Sequence, residues 1–285
     1  FCAYCQIPYA RGASRSVPME EILNAIRGLD AQAVREVVLT GIHLGDYGRD
    51  LPDEKALLVP LLCEILAEVK NISRIRLSSL EPGEVSEDLI KLFHSNPLFC
   101  DHFHLPLQAG SDSILKLMGR SYDTKEYRES VEMIRSYLPD VQISCDVIPG
   151  FPGETEREFQ ETYDFIKNLN ISSLHVFPYS KRPNTRALRM PGHVPQEVIV
   201  ERAQVLRELS KSQWHSFAAS FVGTKHFVLW ENQTDLFGRV KGKTKNGLQV
   251  VMQGQLEELA NHISYVDLKG FIDDTTLLAV PVKMT

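Results

Sequence analysis

Val141-Gln142-Ile143-Ser144-Cys145-Asp146-Val147-Ile148-Pro149-Gly150-Phe151-Pro152-Gly153-Glu154 runs directly into the segment Thr155 to Leu169. The first eight residues are rich in β-branched and apolar side chains and stop at a proline, which reads as a strand. Pro149 to Gly153 punctuate a turn. Thr155-Glu156-Arg157-Glu158 then carries the start signature of a helix. A strand feeding a turn and a helix is half of a βαβ unit, and repetition of that unit builds a parallel sheet.

The unit repeats on both sides. Glu36 to Thr40, Arg74 to Ser78, His102 to Leu105 and Ser173 to Phe177 read as further strands, alternating with amphipathic stretches such as Met19 to Leu29, Leu57 to Val69 and Lys125 to Leu138. In parallel α/β barrels the functional groups collect where strands end and βα loops begin. Here those ends are Thr40-Gly41-Ile42-His43, Ser78 to Pro82, Leu105 to Asp112, Asp146 to Glu154 and Val176 to Ser180. Each alone is an ordinary loop. Five converging on one rim make a candidate site.

From Pro195 to Phe221 the pattern is one long helix with Val198, Val205, Leu206, Leu209 and Phe217 on an apolar stripe. The composition then turns to β. Phe227 to Trp230, Phe237 to Val240, Gly247 to Met252, Ile263 to Leu268 and Leu277 to Val280 are short runs at even spacing, with a turn at Lys245-Asn246-Gly247. This reads as a small antiparallel barrel. The expected fold class is α/β, a partial (β/α) barrel over residues 1–219 followed by a β domain over 220–285.

The chain has 285 residues, 43% of them hydrophobic, enough for one large core and one small one. No run approaches the roughly 18 apolar residues of a membrane span, and no secretory leader is visible. Five scattered cysteines do not form a disulfide framework, and Cys63 and Cys145 read as small core residues. The cytoplasm is the expected compartment. A net charge of -6 argues against wholesale coating of nucleic acid but leaves room for a local basic groove. Arg11 with Arg15, Lys181-Arg182 with Arg186 and Arg189, and Arg239, Lys241, Lys243 and Lys245 are the candidate clusters.

The chain opens Phe1-Cys2-Ala3-Tyr4-Cys5-Gln6-Ile7-Pro8-Tyr9-Ala10-Arg11-Gly12. Two thiols three apart, by themselves, fit a redox pair, half a zinc site or part of an iron–sulfur site. A closed metal centre needs three or four ligands. A cysteine four residues upstream of Cys2 would complete a Cys-x3-Cys-x2-Cys loop that holds three irons of a [4Fe–4S] cluster.

In this order the motifs resemble the methylthiotransferase family of radical-SAM enzymes. The cysteine loop, Val37 to Gly41, Ile75 to Glu81, His104 to Asp112 and Asp146 to Glu154 follow the family sequence of motifs, and the C-terminal β module resembles the TRAM RNA-binding domain. Leu174 to Pro183 and Leu39 to His43 are most similar to the MtaB branch, which acts on N6-threonylcarbamoyladenosine at position 37 of tRNA. The resemblance implies that a first cluster cysteine, a first strand and an N-terminal domain with three more cysteines would precede Phe1.

It further implies that Cys2 and Cys5 are metal ligands, that S-adenosylmethionine binds the open iron, and that its reductive cleavage yields a 5′-deoxyadenosyl radical. A second [4Fe–4S] cluster is expected in the N-terminal domain. By position, Gly41 would meet the methionine end of the cofactor, and Glu81, Gln108, Ser111 and Arg120 its ribose and carboxylate. Asp146 and the turn from Gly150 would border the adenine, with Phe177 and Tyr179 closing the rim. Carbon 2 of adenine has no acidic proton, so no acid–base residue is assigned, and His43, His102, His104 and His175 read as pocket or core groups. Lys181, Arg182, Arg239, Lys241, Lys243 and Lys245 are the expected RNA contacts. The partners implied are tRNA and a reductant such as flavodoxin or ferredoxin, with no membrane and a monomeric state. The alternatives are isopentenyladenosine tRNA or a ribosomal-protein side chain as substrate, or a non-catalytic RNA-binding protein.

Overall fold

Alternation of polar and apolar side chains along β-strands of the N-terminal domain decides its shape. In the computed structural model, which describes residues 2–52 and 57–282, the strands β1 (Glu36–Leu39), β2 (Arg74–Leu77), β3 (His102–His104), β4 (Gln142–Val147) and β5 (Ser173–Val176) pair in parallel within two sheets. Parallel bridges Ile75↔Phe99 and Ser79↔His104 join the sheets into one order, β1-β2-β3-β4-β5. The outer limits expected at residues 1 and 285 lie outside the described residues.

A parallel sheet is ordinarily apolar on both faces. Here only one face is. Phe103, Ile143, Cys145, Val147 and Leu174 are buried in the main core, whereas the alternate positions are Glu36, Arg74, Arg76, His102, His104, Gln142, Ser144, Asp146 and His175. Side chains alternate across a strand, so these residues line the inner, concave face of an open barrel. The helices α1 (Ile7–Arg11) and α2 (Met19–Ala31) lead into β1, and α3 (Leu58–Glu68), α4 (Glu87–Ser95), α5 (Asp112–Met118), α6 (Thr124–Tyr137) and α7 (Glu156–Asn168) supply the crossovers. Capping boxes start α6 at Asp123 with Glu126 and α7 at Thr155 with Glu158, the latter at the start expected from sequence. The sequence pattern left α4 and α5 unnamed.

The long helix α8 (Gln196–Ala219) covers the free edge of β5, where Leu174 N donates to Ser210 Oγ at 2.8 Å. Its buried seam is Ile199, Arg202, Ala203, Leu206, Leu209 and Ala218. Val205, expected on the apolar stripe, is exposed, because it precedes buried Leu206 by one residue and so turns off the seam. Arg202 Nη1 lies 2.9 Å from Glu154 Oε2, and Gly150 N donates to the same oxygen at 2.6 Å. The turn after β4 is thus locked to α8. Gly150 has φ +81°, and a Cβ there would stand 2.4 Å from Ile199, so both backbone and packing require glycine. Cys63 is exposed rather than in the core, since it follows Leu62 by one residue and falls off the Leu58, Leu61, Leu62, Ile65 stripe.

After α8 come β6 (Lys225–Thr234), β7 (Val240–Thr244), β8 (Gln249–Met252), a short α9 (Leu256–Leu259), β9 (Ile263–Phe271) and β10 (Thr276–Pro281). They form a closed barrel in the order β10-β8-β7-β6-β9. The pairings are antiparallel except for β10 with β8, the parallel seam of the barrel. The expected strand over 237–240 begins only at Val240, because the Asp235 carboxylate accepts from Phe237 N and Arg239 N, both at 2.9 Å, and turns the chain there. Val228, Trp230, Val240, Leu248, Val250, Val266, Leu268 and Leu277 fill the interior.

The β-barrel abuts the concave face of the open barrel. Arg74, fully buried, donates from Nη1 to Lys243 O at 2.7 Å and from Nη2 to Phe227 O at 2.8 Å. Arg76 Nη2 reaches Lys245 O at 3.3 Å, and Glu36 lies 3.6 Å from Arg74 and 2.9 Å from Arg76. Gly247, at φ +80°, lets the turn approach Gln142, whose Oε1 would be 2.3 Å from any Cβ.

Candidate active site

The cysteine loop is held from three sides at the C-terminal end of the strands. Cys5 N donates to Cys2 O at 3.2 Å, which puts both thiols on one turn. Ala3 N donates to Met118 O at 2.7 Å, and Ala187 N to Ala3 O at 2.9 Å. Gln6 Nε2 donates to Pro183 O at 2.7 Å. The loop is therefore strapped to the end of α5 and to the rim segment beyond β5.

Both thiols face a cavity of about 1610 Å³ that is also lined by Gly41, His43, Glu81, Arg120 and Tyr122. Arg120 is the central cation. Its Nη1 donates to Cys2 Sγ at 3.0 Å, its Nη2 pairs with Glu81, and its Nε donates to Tyr122 OH at 3.1 Å. Burial opposes its charge, but Tyr122, Glu81, Tyr4 and Cys2 together raise its pKa. Burial, reinforced by Cys2, keeps the Tyr4 phenol protonated far above its usual range. Gly41 N donates to Ser78 Oγ at 3.3 Å, leaving this strand end flush with the cavity.

The other expected cofactor residues stand elsewhere. Gln108, at φ +68°, is buried, with its backbone bonded to Asp146 O and Ile148 N of the β4 segment. Ser111 Oγ donates to Glu161 Oε2 on α7 at 2.6 Å. Gly150 packs on α8, and buried Tyr179 lies edge-on to Phe151 at 5.6 Å. Phe177 is exposed beyond β5. None of these five lines the cavity that holds Cys2, Cys5, Gly41, Glu81 and Arg120.

Two histidine–carboxylate groups emerge that no local motif announces. His104 Nε2 and His175 Nδ1 both converge on Asp146 Oδ1, at 3.2 and 3.3 Å, and the two rings stack at 5.1 Å. Ser144 Oγ lies 2.9 Å from His104 Nδ1 and orients that ring. The parallel register Asp146↔His175 and His104↔Ser144 makes the cluster, and register is invisible in a single strand's sequence. On the β1 loop His43 sits between Asp46 and Glu84, the latter at 3.1 Å. Burial raises the Glu84 pKa.

The expected RNA contacts also separate. Lys181 and Arg182 are exposed on the rim segment tied to the cysteine loop. Arg239 is paired with Asp235 at 2.7 Å, and Lys243 Nζ is 3.8 Å from Glu231. Lys241 and Lys245 are half-buried, and Lys245 at the domain junction has its pKa lowered by burial against the pull of Asp101. These four residues of the β-barrel do not make one free basic patch.

The site is a parallel open barrel with paired thiols and a buried arginine on one cavity at its mouth. The radical SAM superfamily profile matches residues 1–166, and the chain belongs to that superfamily. It is 36% identical over 273 residues to threonylcarbamoyladenosine tRNA methylthiotransferase MtaB of Bacillus subtilis (strain 168), covering 95% of this chain and 60% of that protein. It is 37% identical over 273 residues to tRNA-2-methylthio-N(6)-dimethylallyladenosine synthase of Carboxydothermus hydrogenoformans, covering 94% and 60%. The chain thus spans about 60% of the length of these relatives. Among solved structures, coproporphyrinogen III oxidase (HemN) from Escherichia coli matches with a TM-score of 0.52 at 16% identity over 74% of this chain and 50% of that one, a likeness of fold.

Superfamily membership implies a [4Fe–4S] cluster and S-adenosylmethionine. The residues fit: Cys2 and Cys5 offer soft thiolate donors from one turn, and Arg120 supplies a hydrogen bond to sulfur of the kind that tunes such clusters. Changing Cys2 and Cys5 together to Ala in the anaerobically reconstituted full-length protein is expected to remove roughly four irons per chain. Unchanged iron content would contradict the assignment, and a tetrahedral zinc signal in X-ray absorption would favour a zinc site.

The Asp146 pair also sets a pH window. Burial would raise the Asp146 pKa, but hydrogen bonds from His104 and His175 outweigh it and bring it from 3.8 to about 2. His175 is raised above 6.5, chiefly by its bond to Asp146. A depressed acid stabilises the fold above its ordinary value, and that contribution is lost as pH falls toward about 2. A raised base stabilises below 6.5, and that contribution is lost as pH climbs through the folded value. Asp146→Asn is expected to move the His175 titration, followed by NMR, to 6.5 or below. An unmoved midpoint would show that Asp146 does not hold the charge.

Proposed function

We propose that this chain is the radical-SAM and RNA-binding part of a methylthiotransferase that places a methylthio group on carbon 2 of N6-threonylcarbamoyladenosine at position 37 of tRNA. The observation that carries the choice of nucleoside is the rim segment Tyr179 to Pro183. It presents exposed Lys181 and Arg182 and is strapped to the cysteine loop by the bond from Gln6 to Pro183 O. A substrate side group met by that segment lies beside the reactive centre. A threonylcarbamoyl group carries a carboxylate, which an arginine binds bidentately and a lysine meets as a point charge.

The cluster with S-adenosylmethionine supplies one-electron chemistry when bound, and the polypeptide binds, orients and shields. Cys2 and Cys5 would hold the cluster, Gly41, Glu81 and Arg120 would face the cofactor across the cavity, and Tyr4 and Tyr122 would wall it. Gln108, Ser111, Gly150 and Tyr179 would support those walls from behind. The second [4Fe–4S] cluster of an N-terminal domain, tRNA as partner, a flavodoxin- or ferredoxin-type reductant, a monomeric state and a cytoplasmic setting belong to the same reading. So do the two domains, divided at residues 219 and 220. Dimethylallyladenosine tRNA is the second reading, favoured by the 37% identity to a synthase of that type.

The test is mass spectrometry of tRNA nucleosides after incubation with full-length protein. Methylthiolation of threonylcarbamoyladenosine is expected, and Arg182→Leu is expected to depress it by roughly tenfold or more, the loss of a charge-assisted pair. Cleavage of S-adenosylmethionine without tRNA should survive. Equal losses in both reactions would assign Arg182 a structural role, and turnover of dimethylallyladenosine tRNA in its place would overturn the choice of nucleoside.

A further inference from the structure

Phe227 and Tyr265 face each other across β6 and β9 on the outside of the β-barrel, with ring centroids 4.8 Å apart and planes inclined by 39°. They are 57% and 47% exposed. The two rings form an exposed aromatic pair on a barrel whose inward-facing Trp230, Val228, Val266 and Leu268 are buried. The strand register lays out the surrounding face. Phe227↔Tyr265 forms one row, and Lys243, Leu229 and Ile263 form the next across β7, β6 and β9. Lys225 lies two residues before Phe227 on the same side of β6, paired in register with Asp267.

We propose that this aromatic pair is a stacking platform for the bases of an unpaired RNA segment, with Lys225 and Lys243 beside the phosphate path. The inference rests on the reading that the chain acts on RNA, and of the expected strip Arg239, Lys241, Lys243 and Lys245 it keeps only Lys243 as a contact. Three observations favour RNA as occupant. The two adjacent rings are each about half exposed, which suits flat bases. Exposed lysines stand in the rows on either side, Lys225 in one and Lys243 in the other, giving the charge that a phosphodiester backbone requires. The face also starts where Arg74, on the concave side of the open barrel, bonds Phe227 O, so an RNA strand lying on it leads toward the open barrel. Stacking on side chains needs bases freed from a duplex, so the ligand is single-stranded.

The probes are oligouridylate and an RNA duplex of matched length, read by fluorescence anisotropy with the full-length protein over a range of salt. Changing Phe227 and Tyr265 together to Ala is expected to weaken oligouridylate binding about tenfold or more while leaving the slope of log affinity against log salt in place. Lys225→Ala with Lys243→Ala is expected to make that slope shallower. Phe227→Trp should keep parental affinity. Leu at both aromatic positions preserves apolar bulk without a ring, and it should bind as weakly as the alanine pair even if the latter folds poorly. Parental affinity in the leucine variant would overturn the proposal, as would an equal loss on duplex and single strand. So would a variant that keeps RNA binding but changes sedimentation, which would make this face a protein interface. If the parent methylthiolates tRNA while the leucine variant loses no affinity, only this inference falls; if the parent binds no RNA at all, the functional reading falls with it.

Discussion

The architecture depends on one buried cation. Arg74 stands on the concave face of an open barrel, where a charge without partners would be prohibitive. Its two Nη groups are met by Glu36 on the neighbouring strand and by two carbonyl oxygens, those of Lys243 and Phe227, that belong to the other domain, while Nε has no partner among the described residues. Hydrogen bonds from a charged donor contribute about 1.5–3 kcal/mol each, and a carbonyl left buried and unpaired costs a similar amount. The β-barrel is therefore held against the N-terminal half of the concave face, and the other end stays open. At that open end the strand termini, the cysteine loop and the rim segment surround the cavity.

The same logic explains why the concave face is polar. A closed barrel of this kind fills its interior with branched apolar side chains in layers. Here Arg74, Arg76, His104, Asp146 and His175 occupy those positions and satisfy one another across neighbouring strands. Each pairing is strand to strand, so the polar layer also pins the register.

Much of this was legible from local pattern. Five parallel strands, the long helix and the late turn to β structure follow from periodicity, and the thiol pair followed by strand-end motifs pointed to the superfamily. What escaped was everything set by distance in sequence. His104, Asp146 and His175 meet only through the register of three strands. Arg74 reads as a strand residue with no sign that its partners lie some 150 residues later, at Phe227 and Lys243. Lys245 looks like one of four equivalent bases, yet it is half-buried at the junction with Asp101 beside it. Gln108 and Ser111 read as cofactor contacts because they sit at a strand end; in the structure both are buried, neither lines the cysteine cavity, and Ser111 is bonded to Glu161. Cys63 and Val205 failed for a helical reason, since one position along a helix turns a side chain by about 100° and out of the core stripe.

The buried arginine makes the two domains one unit. Hydrogen exchange of Arg74→Met against the parent tests this most directly, because methionine keeps the length and apolar stem but removes the donors. The prediction is faster exchange confined to β6, β7 and the 245–247 turn, with β3, β4 and β5 unchanged and the β-barrel unfolding at a lower denaturant concentration than the open barrel. Identical exchange in β6 and β7, with a single unaltered unfolding transition, would contradict it.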